Sequence, residues 1–221
     1  MPKNKVIFIT GTDTAVGKTA VTFALGVLLQ SRGLNVGVMK PVQCAGQDAL
    51  FLKKSLGIQD DLKVINPFYA PEPLSPHLAL RRAKIMFDKA RVKDCLKELK
   101  NRHDIILVEG AGGLMVPLAK GYYNADLMID LKAEVIIVAR LGLGTINHTL
   151  LTIRELQRRK LKIRGIIFSQ TRPADKGIPE STNPREIQKI SGLKVLGIVP
   201  YMKPLNKGNI LRQCHDLKRN V

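Results

Sequence analysis

The stretch Gly11-Thr12-Asp13-Thr14-Ala15-Val16-Gly17-Lys18-Thr19 combines glycines, hydroxyls and a lysine just ahead of a helical pattern. This composition suits phosphate chemistry. Backbone N–H groups and a helix N-terminus face an anion, Lys18 adds a point charge, and the Thr19 hydroxyl can bind Mg²⁺. The spacing is that of a lengthened P-loop, with five residues instead of four between Gly11 and Gly17. Lys40, followed by Pro41, ends a second apolar run. It reads as a solvated lysine or as a second cation for a transferring phosphoryl group. Asp48 reads either as a helix N-cap or as a carboxylate serving Mg²⁺. Glu109 closes the apolar run Ile105–Val108 and opens Gly110-Ala111-Gly112-Gly113. An acid at the end of a buried strand is the Walker-B arrangement, here with Glu, and the glycines let backbone approach a ligand closely. Gly142-Leu143-Gly144-Thr145-Ile146-Asn147-His148 starts another helix, whose free N–H groups can hold a carboxylate, with Asn147 as an added amide donor. His148 reads as a helix-surface residue, and His77, His103 and His215 show no ligand spacing.

These residues need a scaffold that brings them together. Short β-branched runs occur at Val6–Thr10, Val36–Lys40, Ile105–Val108, Val135–Ala139, Gly165–Phe168 and Val195–Val199. They lack alternation, as strands buried on both faces do. Helical patterns lie between and after them at Lys18–Arg32, Ala49–Leu56, Asp88–Asn101, Thr145–Arg159, Asn183–Ser191 and about Asn209–Leu217, with Gly33 as a C-cap. Strands separated by helices predict an α/β fold: a mostly parallel sheet with helices on both faces, in which ligands bind at the carboxyl ends of the strands. No linker divides residues 1–221, so one P-loop domain is expected, with Arg172–Pro184 as a loop inside it.

Composition narrows the class. The chain has 221 residues and is 45% hydrophobic, enough for a real core. The cysteines, Cys44, Cys95 and Cys214, are too scattered for a disulfide framework or zinc site and point to a reducing compartment. The apolar run after Met1-Pro2-Lys3-Asn4-Lys5 is too short for a signal-peptide core, so a cytoplasmic protein with no membrane partner is expected. The net charge of +18 invites a nucleic-acid reading. The basic residues are dispersed, however, and aromatics for base stacking are scarce, so no nucleic acid is expected as partner.

Taken in order, GTDTAVGKT, KPVQ, Asn66-Pro67-Phe68, Leu74-Ser75-Pro76-His77, EGAGG followed by Pro117-Leu118, and GLGTINHT resemble the dethiobiotin synthetase family from about Val6 to Tyr201. The lengthened P-loop and EGAGG are shared with relatives such as the cobyrinate amidases, whereas the PLSPH and LGTINH segments narrow the resemblance to the synthetases. The resemblance implies a P-loop ligase that turns ATP, CO₂ and 7,8-diaminopelargonate into dethiobiotin, ADP and phosphate. It implies nucleotide contacts from Asp13, Thr14, Ala15, Val16, Gly17, Lys18 and Thr19, and from Gln170, Pro200 and Tyr201 near the base. Lys18 and Lys40 would hold phosphoryl and carbamate oxygens, with Thr14 near the phosphates. Thr19, Asp48 and Glu109 would hold Mg²⁺. Cys44 and Gly112 would face the substrate. Gly144, Thr145 and Asn147 would bind its carboxylate across a homodimer interface.

The sequence departs from the family pattern at Ala15, where Glu is usual, at Cys44, where Thr or Ser is usual, and at Gln170, where Asn is usual. Only Ala45-Gly46-Gln47 separate Cys44 from Asp48, where many members carry a longer loop. Two rival readings fit less well. A cobyrinate amidase-type enzyme needs a glutamine-hydrolysing domain with a Cys–His pair, and the three cysteines have no nucleophile-elbow context. A partition-type ATPase switch, bound to DNA or membrane, carries an additional lysine at the start of its P-loop, where this chain has Thr12 and Asp13.

Overall fold

The computed structural model describes residues 4–173 and 177–220. In chain order the elements are β1 (Lys5–Gly11), α1 (Lys18–Gln30), β2 (Val36–Met39), β3 (Val42–Cys44), α2 (Asp48–Leu56), α3 (Leu62–Ile65), β4 (Phe68–Ala70), α4 (Pro76–Arg82) and α5 (Lys89–Arg102). Then follow β5 (Ile105–Gly113), β6 (Pro117–Ala119), β7 (Tyr122–Tyr123), α6 (Asn124–Asp130), β8 (Glu134–Arg140), α7 (Thr145–Arg158), β9 (Ile163–Ser169), α8 (Ile178–Ser191), β10 (Val195–Val199), α9 (Lys207–Gln213) and α10 (His215–Asn220).

The six strands predicted from the apolar runs form one parallel sheet in the order β10-β9-β8-β1-β5-β2. Period-two alternation sends Ile7 and Ile9 of β1 into one core layer with Val21, Leu25 and Leu28 of α1. It sends Val6 and Phe8 into the other, with Val92, Leu96 and Leu99 of α5. Both faces of the sheet are therefore covered, which is why its strands read as unbroken apolar runs. After β1 the chain builds β2 and β5 on one side, then crosses to β8, β9 and β10 on the other. The carboxyl end of β1 thus lies at a switch point, where such sheets open a crevice.

Several boundaries differ from the sequence reading. Arg172–Pro184 is not all loop: α8 starts at Ile178, with Pro179 tolerated in its first turn. Pro184 lies inside that helix. The neighbouring Asn183 side chain donates to the carbonyls of Leu141 and Gly142, so a tertiary anchor holds a segment whose local composition argues against helix. Residues 174–176 of the predicted loop lie outside the described residues. The single C-terminal helix is two, α9 and α10, parted at Cys214. Beyond Pro41 the chain resumes as β3, which pairs with β4 in a small second sheet. The helix α1 ends at Gln30, two residues short of the predicted Arg32, with Ser31 and not Gly33 as its C-cap; Gly33, at φ 80°, lies in the turn that follows.

Candidate active site

Gly11 and Gly17 set the shape of the phosphate loop. A Cβ on Gly11 would lie 2.6 Å from the Asp13 carbonyl oxygen and 3.0 Å from Lys18 Nζ. Gly17 adopts φ 91°, and a side chain there would strike Ser169 at the end of β9. Within the loop, the Asp13 carboxylate accepts from the Thr14 N–H at 2.7 Å, and Lys18 Nζ donates to the Asp13 carbonyl at 3.0 Å. Ala15 takes a left-handed backbone, φ 57°. The Val16 side chain is buried in the core, so only its backbone can serve a ligand.

Strand register supplies the opposing groups. β5 pairs with both β1 and β2, matching Ile9 with Glu109 and Met39 with Val108. Lys40, one residue past Met39, therefore comes level with Glu109. Glu109 is fully buried, and its Oε1 accepts from Lys40 Nζ at 2.5 Å and from Thr19 Oγ1 at 2.9 Å. Its Oε2 is also buried and has no hydrogen-bond partner. Lys40 also reaches Asp48 Oδ2 at 2.7 Å. The solvated reading of Lys40 is thus overturned, because it is 5% exposed and bridges two carboxylates. The N-cap reading of Asp48 is overturned too. Asp48 is the first helical residue of α2, the N-cap is Gln47, and the Asp48 side chain turns to Lys40.

The two lysines differ in their electrostatics. Burial lowers the Lys18 pKa to about 8, with Glu109 opposing the shift and Lys40 adding to it. Burial also works against Lys40, but Glu109 and Asp48 outweigh it and hold its pKa above the ordinary lysine value. Lys40 is pinned as an ammonium, while Lys18 lacks a carboxylate partner of its own and gains from an incoming anion.

These side chains line a cavity of about 660 Å³, with Thr14, Ala15, Gly17, Cys44, Ala111 and Gly112 also in its wall. Gly112 (φ 65°) lets the β5 turn face the loop, since a Cβ there would sit 3.3 Å from Thr14 Oγ1. The thiol of Cys44 is half-buried, and burial raises its pKa. Val42 and Gln43 of KPVQ, Pro73 to Pro76 of PLSPH, and Val116 complete the wall; the sequence marked the first two groups as motifs without giving these residues a role, and Val116 carried no signal. Apolar and amide side chains carry no chemical signature, and only the KPVQ and PLSPH segments pointed to this region.

Gly144, Thr145 and Asn147 do not line this cavity. Gly144 (φ 88°) precedes α7, Thr145 is buried against Thr149, and Asn147 is exposed. Gln170, Pro200 and Tyr201 form a separate corner at the ends of β9 and β10. There the Gln170 side chain accepts from the Tyr201 N–H at 3.3 Å, and Gln170 N–H donates to Val199. This corner adjoins the phosphate loop through the contact between Gly17 and Ser169.

A switch-point crevice that holds a glycine loop, its lysine and a strand-end acid defines a P-loop nucleotide-binding protein. Solved structures with this fold include MinD from Pyrococcus horikoshii complexed with Mg-ADP, with TM-score 0.63 and 18% identity over 98% of this chain and 92% of that one. A ParA family ATPase from Chlorobium tepidum gives TM-score 0.60 at 15% identity, covering 99% and 96%. A family model described as AAA domain matches residues 5–209. Among curated proteins, the ATP-dependent dethiobiotin synthetase BioD of Thermodesulfovibrio yellowstonii is 40% identical, covering 92% of this chain and 91% of the relative. That of Nitrosopumilus maritimus is 37% identical over 98% and 96%. The chain belongs to the dethiobiotin synthetase family.

Proposed function

We propose that this protein closes the cyclic urea of dethiobiotin from 7,8-diaminopelargonate and CO₂ at the expense of ATP. The observation that carries the reading is the buried Lys40–Glu109–Thr19 cluster facing Lys18 across one cavity, in a chain 40% identical to a protein named for this activity.

A substrate amine attacks CO₂, forming a C–N bond and losing a proton to give a carbamate. A carbamate oxygen then attacks the γ-phosphorus of ATP, and the bond to ADP breaks. The second amine attacks the carbonyl carbon of this mixed anhydride, phosphate leaves, and the ring closes. Charge builds on oxygen at each step, so catalysis rests on preorganised cations and N–H donors. Lys18 and the N–H groups of Ala15–Thr19 suit the phosphates. Lys40, which lines the same cavity as Cys44 and Gly112, suits the carbamate and the transferring phosphoryl group.

The residues also fit Mg²⁺. Thr19, Asp48 and Glu109 offer only hard oxygen donors, and the buried, unpartnered Oε2 of Glu109 has capacity to spare. When bound there, the ion supplies positive charge to the phosphate oxygens.

A homodimer completes the proposal. The N-terminus of α7 lies outside the cavity, so the substrate carboxylate would meet Gly144, Thr145 and Asn147 of a second copy. Leu143 and Ile178, 87% and 81% exposed, supply apolar surface beside it. A cytoplasmic setting agrees with the reduced cysteines, and no helix among the described residues is long and apolar enough to cross a membrane.

The test is phosphate release and dethiobiotin formation from ATP, with diamine and bicarbonate added separately and together. Release that requires both is expected. ATP hydrolysis indifferent to either would refute the reading. Sedimentation tests the dimer, and mixing inactive Asn147→Ala and Lys18→Gln chains tests the shared site, because the mixed dimer alone would regain one intact centre and so part of the activity.

A further inference from the structure

The short loop between β3 and α2 places Asp48 although its own side chains do little to hold it. Ala45 (φ 55°) and Gly46 (φ 65°) are consecutive left-handed residues. Gln47, the N-cap of α2, makes no side-chain cap hydrogen bond. The side chain of Asp48 is 43% exposed, and its hydrogen bond is to Lys40. What ties this loop down is a residue before it. Gln43, on β3, is 4% exposed. Its Nε2 donates to the carbonyls of Ala45 at 3.1 Å and Gly46 at 2.8 Å, and its Oε1 accepts from the Ala49 N–H at 2.9 Å.

Both amide protons and the amide oxygen are thus committed to backbone on either side of Asp48. The oxygen does for the second residue of α2 what a capping side chain does elsewhere, satisfying an N–H that the helix cannot. The two donors hold the strained turn that delivers the chain into the helix. The amide has no proton left for a ligand, although the side chain lies in the cavity wall.

From this geometry we propose that Gln43 is a positioning residue that sets the Asp48 carboxylate beside Lys40 and Glu109 and so tunes the metal site. The inference rests on the reading of Asp48 as a metal ligand. Side chains that orient a ligand group change metal affinity by about 10–100-fold when removed. Gln43 acts on the backbone of its ligand, and the same scale applies.

The experiment measures Mn²⁺ binding to the full chain in the presence of ADP, by the electron paramagnetic resonance signal of free Mn²⁺. The variants are Gln43→Met, Asp48→Asn, the double variant, and Gln30→Met as a control. Gln30 donates to the Leu56 carbonyl at the far end of α2, at 3.0 Å, so its loss loosens the same helix away from the site. Gln43→Met is expected to weaken Mn²⁺ about tenfold or more and to speed hydrogen exchange at the Ala49 amide. The double variant is expected to bind no more weakly than Asp48→Asn alone, because the two residues act through one ligand. Additive losses in the double variant, unchanged binding in Gln43→Met, or an equal loss in Gln30→Met would each overturn the proposal. The wild-type arm tests the metal-site reading separately, since it asks only whether Mn²⁺ binds with ADP.

Discussion

Two buried carboxylates sit at opposite ends of the same pair of strands. At the amino ends of β2 and β5, Asp60 is 4% exposed and fully engaged. Its Oδ1 accepts from Arg102 at 3.0 Å, and its Oδ2 meets His103 Nε2 at 2.6 Å. The other ring nitrogen of His103 meets Asn35 Oδ1 at 2.8 Å, and Asn35 donates to the Arg102 carbonyl. Even the space is reserved, since a Cβ on Gly37 would lie 2.7 Å from the His103 ring. At the carboxyl ends, Glu109 is equally buried, but one oxygen takes both hydrogen bonds and the other takes none. Lys18 stands nearby with a depressed pKa. The first network is closed and holds the fold. The second leaves an acceptor and a cation uncompensated, which is costly in a buried place unless a ligand arrives.

This contrast predicts opposite responses to similar substitutions. Asp60→Ala should cost about 1–3 kcal/mol of stability by leaving the buried His103 ring nitrogen without its partner, with kcat of the folded fraction unchanged. Glu109→Gln should lower kcat by about 10²–10³-fold, with an unfolding midpoint the same or higher. Denaturant melts and steady-state kinetics on both variants decide it, and an unstable but active Glu109→Gln would erase the distinction. Lys18→Gln should reduce turnover by about 10²-fold or more, again at native stability, because its hydrogen bond is to a loop carbonyl and not to a core carboxylate.

Acid should act on the closed network. Burial disfavours the Asp60 carboxylate, but the hydrogen bonds and charges of His103 and Arg102 outweigh it, so its pKa lies below the ordinary value. A depressed carboxylate contributes its full stability above the unfolded pKa of about 3.9 and loses it as pH falls through the folded value. Melts from neutral pH down through the ordinary carboxylate range should show wild type beginning to lose this increment and Asp60→Asn lacking it. The smallest effect concerns the open end. Cys44→Ser puts a stronger donor into the cavity wall, and the KM for diaminopelargonate should fall by a few-fold to about tenfold, one neutral hydrogen bond, while that for ATP stays put.

Much of the open site was legible because its chemistry needs unusual residues in fixed places. A lysine and threonine must open the first helix, an acid must end a buried strand, and glycines must stand where backbone meets phosphate. The closed network was not legible. Asp60, Asn35 and His103 each look like ordinary surface polar residues in sequence, and His103 reads there as a histidine without ligand spacing. The parallel pairing of β2 with β5 brings Asn35 beside His103, and the turn between α2 and α3 brings Asp60 to them. Gln43 escaped for the same reason, since an amide in a strand announces nothing until its loop folds over it.

The sequence by itself determined the six strands of the main sheet, the longer helices between them and the identity of the phosphate loop, because unbroken apolar runs and glycine spacing follow from local sterics and burial; the small sheets β3–β4 and β6–β7 and the short helices α3, α4 and α6 carry no such pattern. Tertiary structure alone decided that Lys40 is buried, that Asp48 faces it, and that α8 begins at Ile178 despite two prolines. Those outcomes depend on register, which places Lys40 level with Glu109, and on long-range hydrogen bonds such as that from Asn183 to Leu141. Registers and long-range bonds join residues dozens of positions apart, and no local pattern encodes them.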